Sequence, residues 1–283
     1  MPDPFHARAR RASPMPRHES DRLLEPRWRL PALVVLQLAA LALLATWLWP
    51  PLRATWDRLD AATFALVNPP LAAKGGWAYA WGVASMRAFD LAVALVMLAV
   101  LIRGGLVFAA GRVREAFYAF AAILVLLLAI RTAVFSPLVA HFHWQRASPS
   151  LTVKGAVLIS ELFPGWQGLL HVKDSSGRAF PGDHASVLML WALFVSAFAG
   201  GWRRWLVWSL AALFMLPRVV AGAHWLSDVL VGGTFLALTT IAWGLCTPYA
   251  ARAAALMDRL ATPLALRLGR LPGLRRLAFF SAR

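Results

Sequence analysis

The sequence predicts an all-α, polytopic membrane protein with six transmembrane helices and an outer-face active site. Three observations predict it. Of 283 residues, 60% are hydrophobic and only 15% charged, with a mean hydropathy of +0.61, whereas a soluble domain has about a quarter of its residues charged. Six apolar stretches approach the length of about 20 residues that a helix needs to cross a bilayer core. The ionisable residues near the span mouths collect on one side, and such residues in membrane proteins are functional candidates by default.

Taken in order, the expected spans are Leu30–Trp49, Ala88–Ile102, Ala116–Ile130, Ala185–Ala199, Trp205–Leu216 and Trp225–Leu245, the fifth being the weakest by length. Between the first two lies Pro51–Arg87, with Trp56, Asp57, Asp60, Asn68, Pro69-Pro70 and Gly75-Gly76. This stretch reads as amphipathic or interfacial helices rather than a span. Residues 1–29 form a basic tail expected to be disordered, 30–248 the six-span domain, and 249–283 a second basic tail that either folds as an amphipathic helix or is a solvated charge run. No internal repeat at a fixed period is present.

Charge fixes the orientation. The amino-terminal tail, Arg103 to Arg114, Arg203-Arg204 and the carboxyl-terminal tail together hold 19 of the 29 Lys+Arg, so this side is cytoplasmic by the positive-inside rule. Both termini are expected there, with Arg131 to Gly182 outside. The first span reads as a signal anchor, since about thirty mostly polar residues precede it. The excess of 29 Lys+Arg over 13 Asp+Glu reflects topology and attraction to anionic lipid, and nucleic acid is excluded as a partner. Soluble, collagenous, disulfide-rich and disordered classes are excluded too. The single cysteine, Cys246, has no internal disulfide partner.

The outer side holds Arg146, Lys154, Glu161, Lys173, Asp174 and Arg178, then Phe180-Pro-Gly-Asp-His184, then Pro217-Arg218 and Gly222-Ala-His-Trp-Leu-Ser-Asp228. In a helix His224 and Asp228 would share one face. A carboxylate there fixes the imidazole tautomer and presents the other nitrogen as base or nucleophile; a polar helix cap is the plainer alternative. Asp183 is a natural N-cap and Gly182 allows close backbone approach. A helix start of this kind presents free N–H groups to phosphate oxygens, with His184 poised as a proton donor, although capping alone would also explain it. Arg146, Lys173, Arg178 and Arg218 are candidates for a cationic clamp on a transferring phosphoryl group. Arg131 and Lys154 read as headgroup-facing cations. No metal is expected: His141 and His143 do not share a helical face, and no cysteine or carboxylate set accompanies them.

The spacing Arg218-x5-His224-x3-Asp228 resembles the third signature of the type 2 phosphatidic acid phosphatase superfamily. The resemblance implies His224 as the phosphate-accepting nucleophile, Asp228 as the group that orients it, and Arg218 as a phosphate ligand. Pro181-Gly182-Asp183-His184 stands for the second signature, Pro-Ser-Gly-His, keeping the histidine that acts as general acid. The serine contact to phosphate is missing, which leaves backbone amides around Gly182 and Asp183 to cover for it. In the first signature, Lys-x6-Arg-Pro, Arg146 matches the arginine, Val139 stands at the lysine and Pro149 comes three positions late; Lys173 is the candidate for the missing charge.

Arg146-Ala-Ser-Pro149, Lys173-Asp-Ser-Ser176, Pro217 to Trp225 and Arg87-Ala-Phe-Asp90 are similar to one subgroup, the lipid A 1-diphosphate synthases. That likeness implies phosphoryl transfer from undecaprenyl diphosphate to the 1-phosphate of lipid A, without cofactor, at the periplasmic face of a bacterial inner membrane. A phosphatase acting on undecaprenyl diphosphate or lipid A 1-phosphate is the runner-up, and a transporter or silent scaffold a distant third, since transporters place ionisable residues nearer the midplane. Energetically, Arg87 and Asp90 read as an i,i+3 ion pair at a helix start.

Overall fold

The computed structural model describes residues 23–166, 171–271, 273–274 and 277–280. The disorder expected of the 1–29 tail falls almost wholly outside this set. Among the described residues the protein is helical, and the single β-bridge joins Met86 to Val172.

Helix α1 (Leu30–Leu48) ends where Pro50 and Pro51 withhold the N–H groups that would continue it. The same prolines suit the first turn of α2 (Pro50–Val67), so the chain bends at Trp49 and resumes as a separate helix. Then come α3 (Gly76–Ala84) and α4 (Arg87–Ile102). Helix α5 (Val113–Ala129) passes through a π turn (Ile130–Phe135) into α6 (Ser136–His141). A long irregular segment with single helical turns leads to α7 (Asp183–Phe198) and α8 (Trp202–Val220). A second π turn (Asp228–Gly233) opens α9 (Thr234–Leu245), and α10 (Tyr249–Leu268) follows.

Among the described residues three helical runs are long and apolar enough to cross a membrane: Leu30–Leu48, Ala110–His141 and Asp228–Leu245. The other expected spans differ for simple reasons. Helices α4 and α7 have 16 residues each. The fifth stretch is longer than the sequence suggests, 19 residues, because Trp202 to Arg204 and Pro217 to Val220 join it, and it therefore carries three arginines. The Pro51–Arg87 region forms most of α2, all of α3 and the first residue of α4.

Helix α7 sits at the centre, packed on α8, α9 and α5, while α1 lies along α9. Leu188, Leu190, Trp191, Phe194 and Val195 of α7 are fully buried, which matches a sequence that is apolar all round rather than striped. Small residues bring α7 and the π turn together. A Cβ at Gly232 would lie 2.9 Å from Phe180 and Pro181, and one at Gly233 2.9 Å from the Ala185 Cβ. In a bilayer, where lipid is as apolar as leucine, such close backbone packing is a main source of helix association.

On the other end α10 lies along α5. The buried Arg114 donates to Asp258 (2.8 Å) and Thr262 (2.7 Å), and the Tyr249 hydroxyl donates to the Ala122 carbonyl (2.9 Å). The carboxyl-terminal tail is therefore a docked helix over Tyr249–Leu268. Its outward face carries Arg252 and Arg259 beside Leu256 and Leu260, all exposed.

Candidate active site

The chain from Arg218 to Asp228 is folded back on itself. The Arg218 carbonyl accepts from the N–H groups of Ala223 (2.9 Å) and His224 (3.1 Å), and Gly222 takes the left-handed conformation (φ +81°) that lets the chain reverse. This closure is the physical content of the five-residue spacing between Arg218 and His224: both side chains enter the same space. His224 itself precedes the helical turn that contains Asp228.

His184, His224, Arg87, Lys173, Arg178, Arg218, Asp90 and Asp183 are among the residues lining one cavity of about 570 Å³. It is a mouth where α4, α7 and α8 meet the irregular segment. The Met86–Val172 bridge and the Lys173 N–H bond to the Ser85 carbonyl (3.0 Å) draw residues 172–173 onto the start of α4. Four cations against two carboxylates give the cavity a positive excess suited to a phosphoryl group.

The His224 Nδ1 lies 2.8 Å from the Ala179 carbonyl. A carbonyl only accepts, so Nδ1 carries a proton, and Nε2 is the ring nitrogen not engaged by this bond. Asp228 lies beside this ring, its Oδ2 3.8 Å from Nδ1, within ion-pair distance but beyond hydrogen-bond reach. Asp228 instead accepts from the Trp225 N–H (2.8 Å), and its Oδ1 takes Arg146 Nε (2.9 Å) and Nη2 (2.7 Å). Its backbone carbonyl also accepts from Gly182 N–H (3.1 Å), tying the two motifs together.

Arg146, expected as a phosphate ligand, does not line the cavity. Its Nη1 donates to Asp60 (2.9 Å) and its Nη2 to the Ser227 hydroxyl (2.6 Å), in addition to Asp228. Two buried carboxylates compete for it, and a planar guanidinium satisfies both. Burial pushes the Asp60 carboxyl up, an effect opposed first by Arg146 and then by the bonds from Ser227.

The expected roles of Gly182 and Asp183 also change. Gly182 is itself the N-cap, and its Cα faces the Asp228 carbonyl, where a Cβ would sit 3.1 Å away. The glycine therefore serves chain-to-chain approach. Asp183 is the first residue of α7 and makes no capping bond, because Arg131 holds its carboxylate as an ion pair. Arg131 thus faces Asp183 rather than lipid headgroups.

Asp90 is the residue that sequence reasoning misread. It accepts from Arg218 Nη2 (2.6 Å) rather than from Arg87, and its Oδ1 is 3.9 Å from the His184 Nε2. Arg218 Nη1 is held by the Ser85 carbonyl (3.0 Å) and the Lys173 carbonyl (3.3 Å), leaving the guanidinium fixed at the cavity wall. The Arg87-x2-Asp90 spacing was visible in the sequence, yet the true partner lies 128 residues away. Arg87 and Ser176, which stand in the Arg87-x2-Asp90 and Lys173-x2-Ser176 stretches, also line the cavity, as does His171, which no motif marks. Among the described residues no group of three or more His, Cys, Asp or Glu is arranged to hold a metal ion.

A helical scaffold with apolar runs of spanning length gathers His184, His224 and several cations at one mouth, and residues 119–252 of the chain match the PAP2 superfamily. The chain belongs to that superfamily of phosphatases and phosphotransferases. Within it, the chain is 30% identical over 235 residues to Lipid A 1-diphosphate synthase of Escherichia coli (strain K12), an alignment covering 81% of this chain and 93% of the relative. No solved structure matches it.

Proposed function

We propose that this protein transfers a phosphoryl group from undecaprenyl diphosphate to the 1-phosphate of lipid A through a phosphohistidine at His224. The observation that carries the proposal is the pinned imidazole: Nδ1 is bound to the Ala179 carbonyl, so the nitrogen left for attack is Nε2, in a cavity shared with His184 and Arg218. His224 Nε2 attacks the terminal phosphorus and the bond to the bridging oxygen breaks. His184 donates a proton to that leaving oxygen, while Arg218, Lys173, Arg87 and Arg178 stabilise the equatorial oxygens. The lipid A 1-phosphate oxygen then attacks the phosphorus and the nitrogen–phosphorus bond breaks. No metal or cofactor is needed in either step.

Lipid substrates fit the surroundings. Below the polar cavity an apolar groove of about 280 Å³ runs between α4, α5 and α7, lined by Met97, Leu101, Phe117, Phe120 and Leu124. Val187, one turn after His184, borders both spaces. A leaving group protonated by His184 has its hydrocarbon chain directed into that groove. In this reading the six-span domain 30–248 lies in a bacterial inner membrane with both termini cytoplasmic and the cavity on the periplasmic side.

Because each in-line displacement uses the face opposite His224, the acceptor occupies the place the first lipid has left. Initial rates against both lipids should therefore give the parallel double-reciprocal lines of a ping-pong scheme. The deciding experiment combines purified protein, undecaprenyl diphosphate and lipid A in mixed micelles. Gain of one phosphate by lipid A, with little free phosphate and no reaction by His224→Ala, supports the transferase. Free phosphate with lipid A unchanged makes the protein a phosphatase, in which water attacks the same phosphohistidine.

A further inference from the structure

Helix α2 has 18 residues and only two buried side chains, Asp60 and Phe64. Both touch the segment that carries the nucleophile. Phe64 packs on Trp225 with ring centroids 6.2 Å apart and closes against Gly222, where an added Cβ would be 3.0 Å from its ring. Asp60, 2% exposed, accepts the Ser227 N–H at one oxygen (2.7 Å) and the Ser227 hydroxyl (2.7 Å) and Arg146 (2.9 Å) at the other. An interfacial helix docked mainly by a carboxylate is unusual, since burying an ionised group is costly unless it is fully paired.

Resting on the phosphoryl-transfer reading above, we propose that Asp60 is a positioning residue of the reaction: it fixes the Trp225–Asp228 turn, and with it His224, through Ser227 and Arg146. Asp60 does not line the cavity and touches no reacting atom. Its effect passes along two routes. The first is the backbone of Ser227, three residues after His224 and directly before Asp228. The second is Arg146, whose fork spans Asp60 and Asp228 and lies 5.4 Å from the Trp225 ring centre. Trp225 is anchored in turn by its own N–H to Asp228 and its indole N–H to the Ala147 carbonyl (2.9 Å). An asparagine at 60 accepts with one atom only. Its amide nitrogen would face either the Ser227 N–H or the guanidinium, donor against donor, and the turn would loosen on that side.

The test uses the full chain in mixed micelles with undecaprenyl diphosphate as donor and lipid A as acceptor, measuring steady-state rates and the phosphoenzyme burst, whose amplitude counts active molecules. Asp60→Asn should lower kcat per active molecule by about 10²-fold, the cost of a misplaced reacting group, with the KM for the diphosphate unchanged. Asp60→Glu keeps the charge and should recover part of the loss. Ser227→Ala, which removes the hydroxyl and leaves the N–H bond, should show a smaller fall in kcat alone. A purely structural Asp60 would instead reduce burst amplitude and thermal midpoint and leave kcat per active molecule at the wild-type value; that result, or equal losses for Asn and Glu, overturns the proposal. Wild-type turnover by His224→Ala would remove the phosphohistidine reading and this proposal with it.

Discussion

Replacing Gly233 with alanine tests whether the packing of α7 on the second π turn sets the distance between the two histidines. The new methyl would sit 2.9 Å from the Ala185 Cβ and 3.2 Å from its carbonyl carbon. Carbon atoms rest about 3.5–4.0 Å apart, so the two elements must separate by at least about 0.6 Å. Ala185 directly follows His184, and Gly233 lies on the element that begins with Asp228, so the displacement falls between acid and nucleophile. Overpacking of this kind costs about 1–3 kcal/mol in stability. A misplacement of 1 Å lowers rates by about 10²-fold, so 0.6 Å corresponds to a fall in kcat of roughly tenfold. The assay is phosphoryl transfer in micelles, with thermal unfolding in parallel. Adding Ala185→Gly removes the nearest atom but leaves the backbone carbon, so the double variant should regain part of both quantities. Wild-type kcat and midpoint for Gly233→Ala, or no relief from Ala185→Gly, would refute the reasoning.

Three further outcomes are expected. Asp90→Asn removes the charge-assisted bond to Arg218; such a bond contributes about 1.5–3 kcal/mol, so kcat/KM should fall by at least about tenfold in steady-state assays. Val187→Trp fills the junction of cavity and groove, and should raise KM for undecaprenyl diphosphate far more than for a short-chain prenyl diphosphate; equal effects on both would place the chain elsewhere. Activity should persist in excess chelator and gain nothing from added divalent ions, as measured by phosphate transfer to lipid A.

Parts of the site were legible in the linear sequence because they depend on local spacing. Arg218 and His224 meet through a turn closed by backbone bonds between them, and His184 stands on the first turn of an apolar helix. The hydrogen-bond partners were not legible. Helical spacing brings Asp228 beside His224, but the turn leaves His224 outside the helix and the carbonyl of residue 179 takes its Nδ1. Arg146 was matched to a phosphate ligand, but it faces Asp60, a residue 86 positions away. Local periodicity carries no information on which of several acids a buried guanidinium will meet.

The sequence by itself determined that the chain is helical and apolar, where its helices break, and which residues crowd one face, because bilayer length, proline chemistry and charge asymmetry act on the chain locally. The tertiary structure decided which helices reach full spanning length, that α2 buries an acid rather than an apolar stripe, and that Asp90 belongs to Arg218. Those outcomes arise from desolvation: a buried charge must find its counter-charge wherever the fold brings one within about 3 Å, and only the assembled helices fix that distance.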